Sequence, residues 1–194
     1  MHLAVRIRDY LWRPLTSSAE DADFVLRLRS TPVATAALLT TGISRDEHLR
    51  FLKLAEERGE INWIAEKGGE RIGFAGIYDL DHKNRRTEIG RFAGMAPDVH
   101  LLNVFVTAYA AFEVLNVNKI CFHAPTRDVV SNKAIERFGA VKEAVLREET
   151  ISDATFCDVS VYGLLASEWQ TIKAGQVARL GQPEVIRSIE DEVG

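Results

Sequence analysis

Residues 87–123 read TEIGRFAGMAPDVHLLNVFVTAYAAFEVLNVNKICFH, and this stretch decides the fold. Residues 87–94 read as a strand. Pro97 and Asp98 then open a helix, because the first helical position needs no amide hydrogen and its fixed φ already suits proline. Within it Leu101, Leu102, Phe105, Val106, Tyr109, Phe112 and Leu115 form one apolar face at i, i+4, i+8 spacing. Residues 116–118 break the helix, and residues 119–123 form a short buried strand. A strand, a helix and a second strand make one crossover, which predicts a parallel pair.

Outward from this unit the pattern turns antiparallel. Residues 61–65 and 72–78 are β-branched and aromatic segments around Lys67-Gly68-Gly69-Glu70, whose paired glycines supply the positive φ of a tight hairpin. Residues 81–86 are turn-like. On the C-terminal side residues 131–138 form a short helix that Gly139 stops in the left-handed region. Residues 141–150 and 156–165 flank Ile151-Ser152-Asp153-Ala154 as a closing hairpin. On the N-terminal side Ser44-Arg45-Asp46-Glu47 is a capping box ahead of a helix over 45–58 that ends at Gly59. Ser17 with Glu20 has the same spacing before a helix over 19–29, residues 31–42 are its connector, and residues 10–15 are a first strand. The order β-α-α-β-β-β-α-β-α-β-β predicts an α+β fold, a mixed and mostly antiparallel sheet with helices on both faces. Residues 1–169 are expected to form one domain. Residues 170–194, with weak helical character, Gly181, Pro183 and an acidic end, are expected to be an appendage.

The chain has 194 residues, 46% of them hydrophobic and 27% charged, enough apolar material for one sizeable core. Its 24 Lys+Arg against 28 Asp+Glu give a net charge of -4, which argues against nucleic acid or an anionic membrane as partner. Cys121 and Cys157 sit in no CxxC or Cys/His cluster, so no metal site is expected, and both read as buried, reduced hydrophobes. The opening MHLAVRIRDYLWRP lacks the apolar run of a secretory signal, and no run approaches a membrane span. The expected location is cytoplasmic.

Three stretches carry a family resemblance. Ser131-Asn132-Lys133-Ala134-Ile135-Glu136-Arg137-Phe138-Gly139-Ala140 resembles the helix-to-strand motif S-x-x-x-x-E-K-x-G-[FA] of the GNAT superfamily of acyl-CoA N-acyltransferases. Leu146-Arg147-Glu148 with the run from Asp158 to Trp169, and Thr87-Glu88-Ile89-Gly90-Arg91, are similar to the ribosomal-protein-alanine-acetyltransferase-like branch. Residues 26–32 and 43–52 look closest to acetyltransferases of nucleotide-linked amino sugars. The likeness covers roughly residues 10–169 and implies acetyl-CoA as acyl donor and a primary amine as acceptor, with a homodimer as an ordinary assembly.

The resemblance implies roles residue by residue. Glu88 on the central strand is the general-base candidate, with a structural ion pair to Arg91, Arg86 or Arg147 as the alternative. His123 has a reference pKa of ~6.5 and is a second base candidate. Tyr162 is the candidate acid for the leaving thiolate, since Ile135 stands where the family often places a tyrosine. The family's glycine-rich diphosphate turn corresponds here to Ala96-Pro97-Asp98-Val99-His100-Leu101-Leu102-Asn103, which has no glycine and adds a negative charge at Asp98. Phe92, His100, and Leu101, Leu102 and Asn103 through their helix N-terminal amides, together with Asp128, Ser131 and Asn132, are the cofactor-binding candidates. Arg29, His48 and Arg86 are the substrate-binding candidates, facing a nucleotide diphosphate. The implied activity is N-acetyl transfer to an amine of a nucleotide-linked amino sugar. The alternatives are a protein N-terminal acetyltransferase, or a non-catalytic module that kept the fold without the CoA turn.

Overall fold

A computed structural model describes residues 3–31, 43–152 and 155–187. The expected connector over 31–42 and the tip of the closing hairpin fall largely outside them. The strands are β1 (Leu3–Ile7), β2 (Tyr10–Pro14), β3 (Ile61–Lys67), β4 (Glu70–Asp81), β5 (Arg86–Gly94), β6 (Lys119–Pro125), β7 (Val141–Ser152), β8 (Thr155–Leu165) and β9 (Glu184–Arg187). The helices are α1 (Ala19–Arg29), α2 (Arg45–Glu57), α3 (Pro97–Tyr109), α4 (Val129–Phe138) and α5 (Ala166–Leu180), with a π-turn over Ala110–Val114 closing α3. One sheet runs β7-β8-β6-β5-β4-β3-β2-β1-β9. Among the described residues only β5 and β6 pair in parallel, as the α3 crossover requires, and every other pair is antiparallel.

Local sequence explains most of these elements. Gly68 and Gly69 turn the β3–β4 hairpin at φ of 58° and 83°, the two positive values that a two-residue type I′ turn needs. Ser44 and Glu47 cap α2 reciprocally, as expected. In α1 the cap is Ser18 rather than Ser17, its hydroxyl accepting from the Asp21 amide at 3.2 Å. Asp21 thereby sits in the first turn, buried, where it accepts from both terminal guanidinium nitrogens of Arg13 at 2.7 and 2.8 Å and from Arg71 at 2.9 Å. Burial pushes the Asp21 carboxyl up, but these cations and Thr16 outweigh it and hold it well below the usual carboxylate range.

Two apolar clusters occupy opposite faces of the sheet. Phe24, Val25 and Leu28 of α1 pack on Ile64, Phe74 and Ala93. Trp63, Ala65, Ile77 and Ile89 point the other way, toward Phe105 and Val106 of α3, Phe138 of α4 and Trp169 of α5. That alternation along β3 and β4 places helices on both faces.

Two strands lie beyond the sequence expectation, and the weak helical character read over 170–194 is a full helix, α5. β1 pairs with β2 at the N-terminal edge, and β9 adds outside it, pairing Leu3 with Arg187 through Arg6 with Glu184. The segment read as an appendage supplies most of α5. Trp169 is fully buried against Phe105, Tyr109, Phe112 and Phe138, and its indole N–H donates to Glu113 at 2.8 Å. Ile172, Val177, Leu180 and Val185 pack against the same core, and β9 extends its sheet. Cys157 is buried and Cys121 only half-buried; neither is in a disulfide.

Candidate active site

The parallel pair that decides the fold also creates the site. β5 and β6 pair only over Arg86–Lys119, Thr87–Ile120 and Glu88–Cys121, after which both strands continue unpaired with each other to Gly94 and Pro125. Beyond Glu88 the sheet is therefore split. A cavity of about 520 Å3 runs through this split. Its walls on one face are Val25 and Arg29 of α1 with His48 and Phe51 of α2, and on the other His100 and Val104 of α3 with Ser131, Ala134 and Ile135 of α4.

Glu88, the last residue of β5 paired with β6, stands in the middle. One carboxylate oxygen accepts the Tyr78 hydroxyl at 2.7 Å, and the other lies 2.8 Å from His123 Nδ1 on β6. The histidine approach is off the line of the ring N–H, so it is a close ion pair rather than a linear hydrogen bond. The neighbouring carboxylate raises the His123 pKa above its ordinary value and outweighs burial, which lowers it. Tyr78 is driven well above the usual phenol value by burial first and then by the Glu88 charge, so its hydroxyl stays a donor. Gly90 makes room for it: a Cβ there would meet the Tyr78 hydroxyl at 2.5 Å. None of Arg91, Arg86 and Arg147 pairs with Glu88 in this arrangement.

Arg91 adopts φ of 57°, left-handed backbone for a residue inside a strand, where the β4–β5 register shifts between Phe74 and Gly76. The irregularity sends its guanidinium to Glu60 at 2.5 Å and Asn62 at 3.0 Å, between the rings of Phe51 and Tyr78. Tyr78, Phe51 and Arg91 line the site without having been anticipated. The spacing of Tyr78 and Glu88 across the hairpin, whose register pairs them directly, is the signal that would have found the tyrosine.

The structure brings Glu88, His123, Phe92, His100, Ser131, Arg29 and His48 to the cavity. It places the other candidates elsewhere. α3 starts at Pro97, so the amides of Leu101, Leu102 and Asn103 lie past its open first turn and within the helix ladder; the Leu102 side chain is buried in the core and Leu101 lies outside the cavity wall. Asn103 is fully buried and its amide is spent: it accepts from Trp12 Nε1 at 2.8 Å and donates to Phe74 O and Ala93 O, both at 3.1 Å. It fastens the bulge rather than reaching a ligand. Asp128 caps α4, accepting from the Ser131 amide at 3.0 Å. Asn132 donates to Pro125 O and Asp128 O and accepts the Tyr162 hydroxyl at 2.6 Å, which leaves Tyr162 fully buried beneath α4. Arg86 pairs with Asp81 in the β4–β5 turn, away from the cavity.

For an acyl-CoA the fit is good along the split and sparse at the helix start. Asp98 does not line the cavity, and its carboxylate accepts the Tyr10 hydroxyl at 3.0 Å. Gly94 lets the first turn of α3 settle on the sheet, since a Cβ there would meet Val99 at 3.0 Å. His100, edge-on to Phe92 at 5.7 Å, and Ser131 are the polar side chains at that end. Burial lowers the His100 pKa, with Asp128 opposing, which leaves the ring a neutral donor or acceptor near pH 7. No group of three or more His, Cys, Asp or Glu that could hold a metal occurs among the described residues. No helix among them is long and apolar enough to cross a membrane.

Comparison with known proteins gives no matching family model. The "Uncharacterized N-acetyltransferase YoaA" of Bacillus subtilis (strain 168) is 32% identical over 124 residues, 59% of this chain and 68% of the relative. A crystal structure of a "putative acetyltransferase" from T. thermophilus superposes with a TM-score of 0.74 at 28% identity over 90% of this chain and 95% of that one. The spermidine N-acetyltransferase from Vibrio cholerae in complex with CoA and spermine shares the fold, with a TM-score of 0.69 at 19% identity over 87% of this chain and 98% of that one.

Proposed function

The chain belongs to the GNAT family of N-acetyltransferases, and from that premise we propose that it moves an acetyl group from acetyl-CoA to the primary amine of a small molecule, Glu88 and His123 taking the proton. The single observation that carries this reading is the Tyr78–Glu88–His123 chain at the point where β5 and β6 part. An attacking amine must shed a proton, and a carboxylate or imidazole within reach of the nitrogen lowers that barrier. Tyr78 fixes one Glu88 oxygen, which leaves the other beside His123 Nδ1.

The donor's acyl arm would lie along the unpaired edges of β5 and β6, against Phe92, Ala134 and Ile135, with His100 and Ser131 at the coenzyme end. Acetyl-CoA supplies the activated carbonyl there. Backbone amides of β5 beyond Glu88 have no β6 partner and are the donors that would polarise it. The amine would enter from the α1–α2 face, form the new C–N bond, and pass its proton to the Glu88–His123 pair as the C–S bond breaks and the thiolate leaves. Tyr162 has no part in this scheme, because its hydroxyl is taken by Asn132 and shielded by α4.

A nucleotide-linked amino sugar is the first acceptor to try and a peptide N-terminus the second. Thiol release from acetyl-CoA on addition of each tests the activity. Release that depends on one of these amines supports transfer. Absence of release together with absence of acetyl-CoA binding returns the fold to a binding module.

A further inference from the structure

Two helices start at the open end of the split. β5 and β6 run parallel, so Gly94 leads into α3 and Pro125 toward α4 at the same end of the sheet. A helix start ordinarily offers an anion its unpaired first-turn amides and the positive end of its dipole. Both starts are largely closed here. In α3 Pro97 has no amide hydrogen and the Val99 amide donates to Ala96 O at 3.1 Å, so of the first three positions only Asp98 keeps an amide, beside its own carboxylate. In α4 the Val129 amide donates to Arg127 O at 3.0 Å and the Ser131 amide to the Asp128 carboxylate at 3.0 Å, so only Val130 keeps one.

Charge adds to the closure. Asp98 and Asp128 place one carboxylate at each start, the first accepting the Tyr10 hydroxyl at 3.0 Å. Lys67, behind Tyr10, donates to that hydroxyl at 3.0 Å and pairs with Asp9 at 3.5 Å. Burial lowers the His100 pKa and Asp128 opposes it, which sets that carboxylate within electrostatic range of the coenzyme end. No Lys or Arg among the described residues lines the α3–α4 wall of the cavity. Lys133 and Arg127, the latter already engaged, are exposed and line no part of it. Met95, Val129 and Val130, exposed at the two starts, are apolar. A diphosphate there would meet two carboxylates and two apolar turns. The split offers the reverse: past Glu88 and Cys121 the facing edges of β5 and β6 are unpaired with each other, a row of neutral donors and acceptors that suits the two amides of a pantetheine.

We propose that the chain holds its acyl donor by the neutral pantetheine arm, Asp98 and Asp128 keeping the diphosphate off both helix starts, so that a pantetheine thioester lacking the nucleotide binds comparably to acetyl-CoA. This rests on the acyl-transfer reading of the cavity and adds how the donor is chosen. Asp98 and Asp128 are specificity residues here, since they meet neither the thioester nor the amine.

Calorimetry on the full chain compares acetyl-CoA, S-acetylpantetheine and adenosine 3′,5′-bisphosphate, the last standing for the nucleotide end. The two thioesters should bind within about tenfold of each other, and the bisphosphate should displace neither. The double variant Asp98→Asn with Asp128→Asn keeps an oxygen for the Tyr10 hydroxyl and one for the Ser131 amide. It should tighten acetyl-CoA at least about threefold at low salt, leave S-acetylpantetheine as in the parent, and lose that gain in about 1 M salt, where the screening length is ~3 Å. S-acetylpantetheine weaker than acetyl-CoA by more than about tenfold, displacement of acetyl-CoA by the bisphosphate, or a ratio of the two thioester affinities unmoved in the double variant overturns the proposal. The two failures separate: acetyl-CoA binding that leaves S-acetylpantetheine behind sinks this inference only, and binding of neither thioester sinks the transferase reading beneath it.

Discussion

Replacing Glu88 by glutamine removes the proton acceptor while keeping its shape. The amide oxygen can still accept from Tyr78, now 2.7 Å from the carboxylate, and the amide nitrogen takes the place of the oxygen 2.8 Å from His123 Nδ1. Positioned general bases contribute roughly 10²–10⁴ in rate, so kcat should fall by that factor, about 2.7–5.4 kcal/mol at ~1.36 kcal/mol per decade. The pH profile should move as well. In the parent the carboxylate raises His123 above its ordinary value, and the acidic limb of kcat/KM should sit correspondingly high; in Glu88→Gln it should slide toward lower pH. Stability changes in the opposite sense. A histidine whose folded pKa is raised contributes stability fully below the unfolded value of ~6.5 and loses it as pH rises through the folded one. The two proteins should therefore differ most in urea midpoint near about pH 6 and converge by about pH 9. The assay is thiol release across pH, with urea melts of both proteins in the same buffers. A variant within about threefold of the parent whose acidic limb has not moved would refute the role given to the pair.

Three further perturbations probe the frame around the site. Asn103→Ala strands Trp12 Nε1 and the carbonyls of Phe74 and Ala93 at ~1–3 kcal/mol for a buried group left unpaired, so it should cost at least about 2 kcal/mol in urea unfolding; a loss below about 0.5 kcal/mol would contradict the assignment to the bulge. Asp21→Asn should cost about 3–5 kcal/mol, as breaking a buried ion pair does. The Asp21 carboxyl is held low, so its stabilisation is present above the unfolded value of ~3.9 and disappears as pH falls through the folded one; urea midpoints against pH should show a shallower acid limb in the variant, and parallel limbs would refute the linkage. Gly90→Ala should displace the Tyr78 hydroxyl and lower kcat at least about tenfold as Glu88 loses its anchor, with acetyl-CoA affinity unchanged; full activity would show that the tyrosine has room.

Much of this was legible in the sequence because it was written in local signals. The capping box at Ser44, the paired glycines at 68 and 69, and the i, i+4, i+8 stripe of α3 each act within a few residues, and each element formed where its pattern lies. β1 and β9 escaped, and α5 showed only weak helical character, because their stability is tertiary. Trp169 is one buried anchor in a helix with few others, and β9 is four residues long, held by its ladder to β1. Within the site, Glu88, His123, Arg29 and His48 were findable as chemistry-bearing residues on predicted elements. The roles of Asn103, Asn132 and Tyr162 were not, because a polar side chain looks the same in sequence whether it meets a ligand or satisfies a buried backbone carbonyl. The positive φ of Arg91 comes from a register shift between two strands, which no single-strand pattern encodes.

The claim on which the rest stands is that the split between β5 and β6 receives acetyl-CoA. Thermal unfolding of the full chain with the thioester at about 100 times its Kd should show about 2.7 kcal/mol of added stability, roughly 5–10 °C for a chain of this size. Ala134→Trp, which fills the α4 wall of the cavity, should abolish the shift while leaving the chain folded. An unchanged melting temperature in the parent, or an equal shift in the parent and the filled variant, would contradict it.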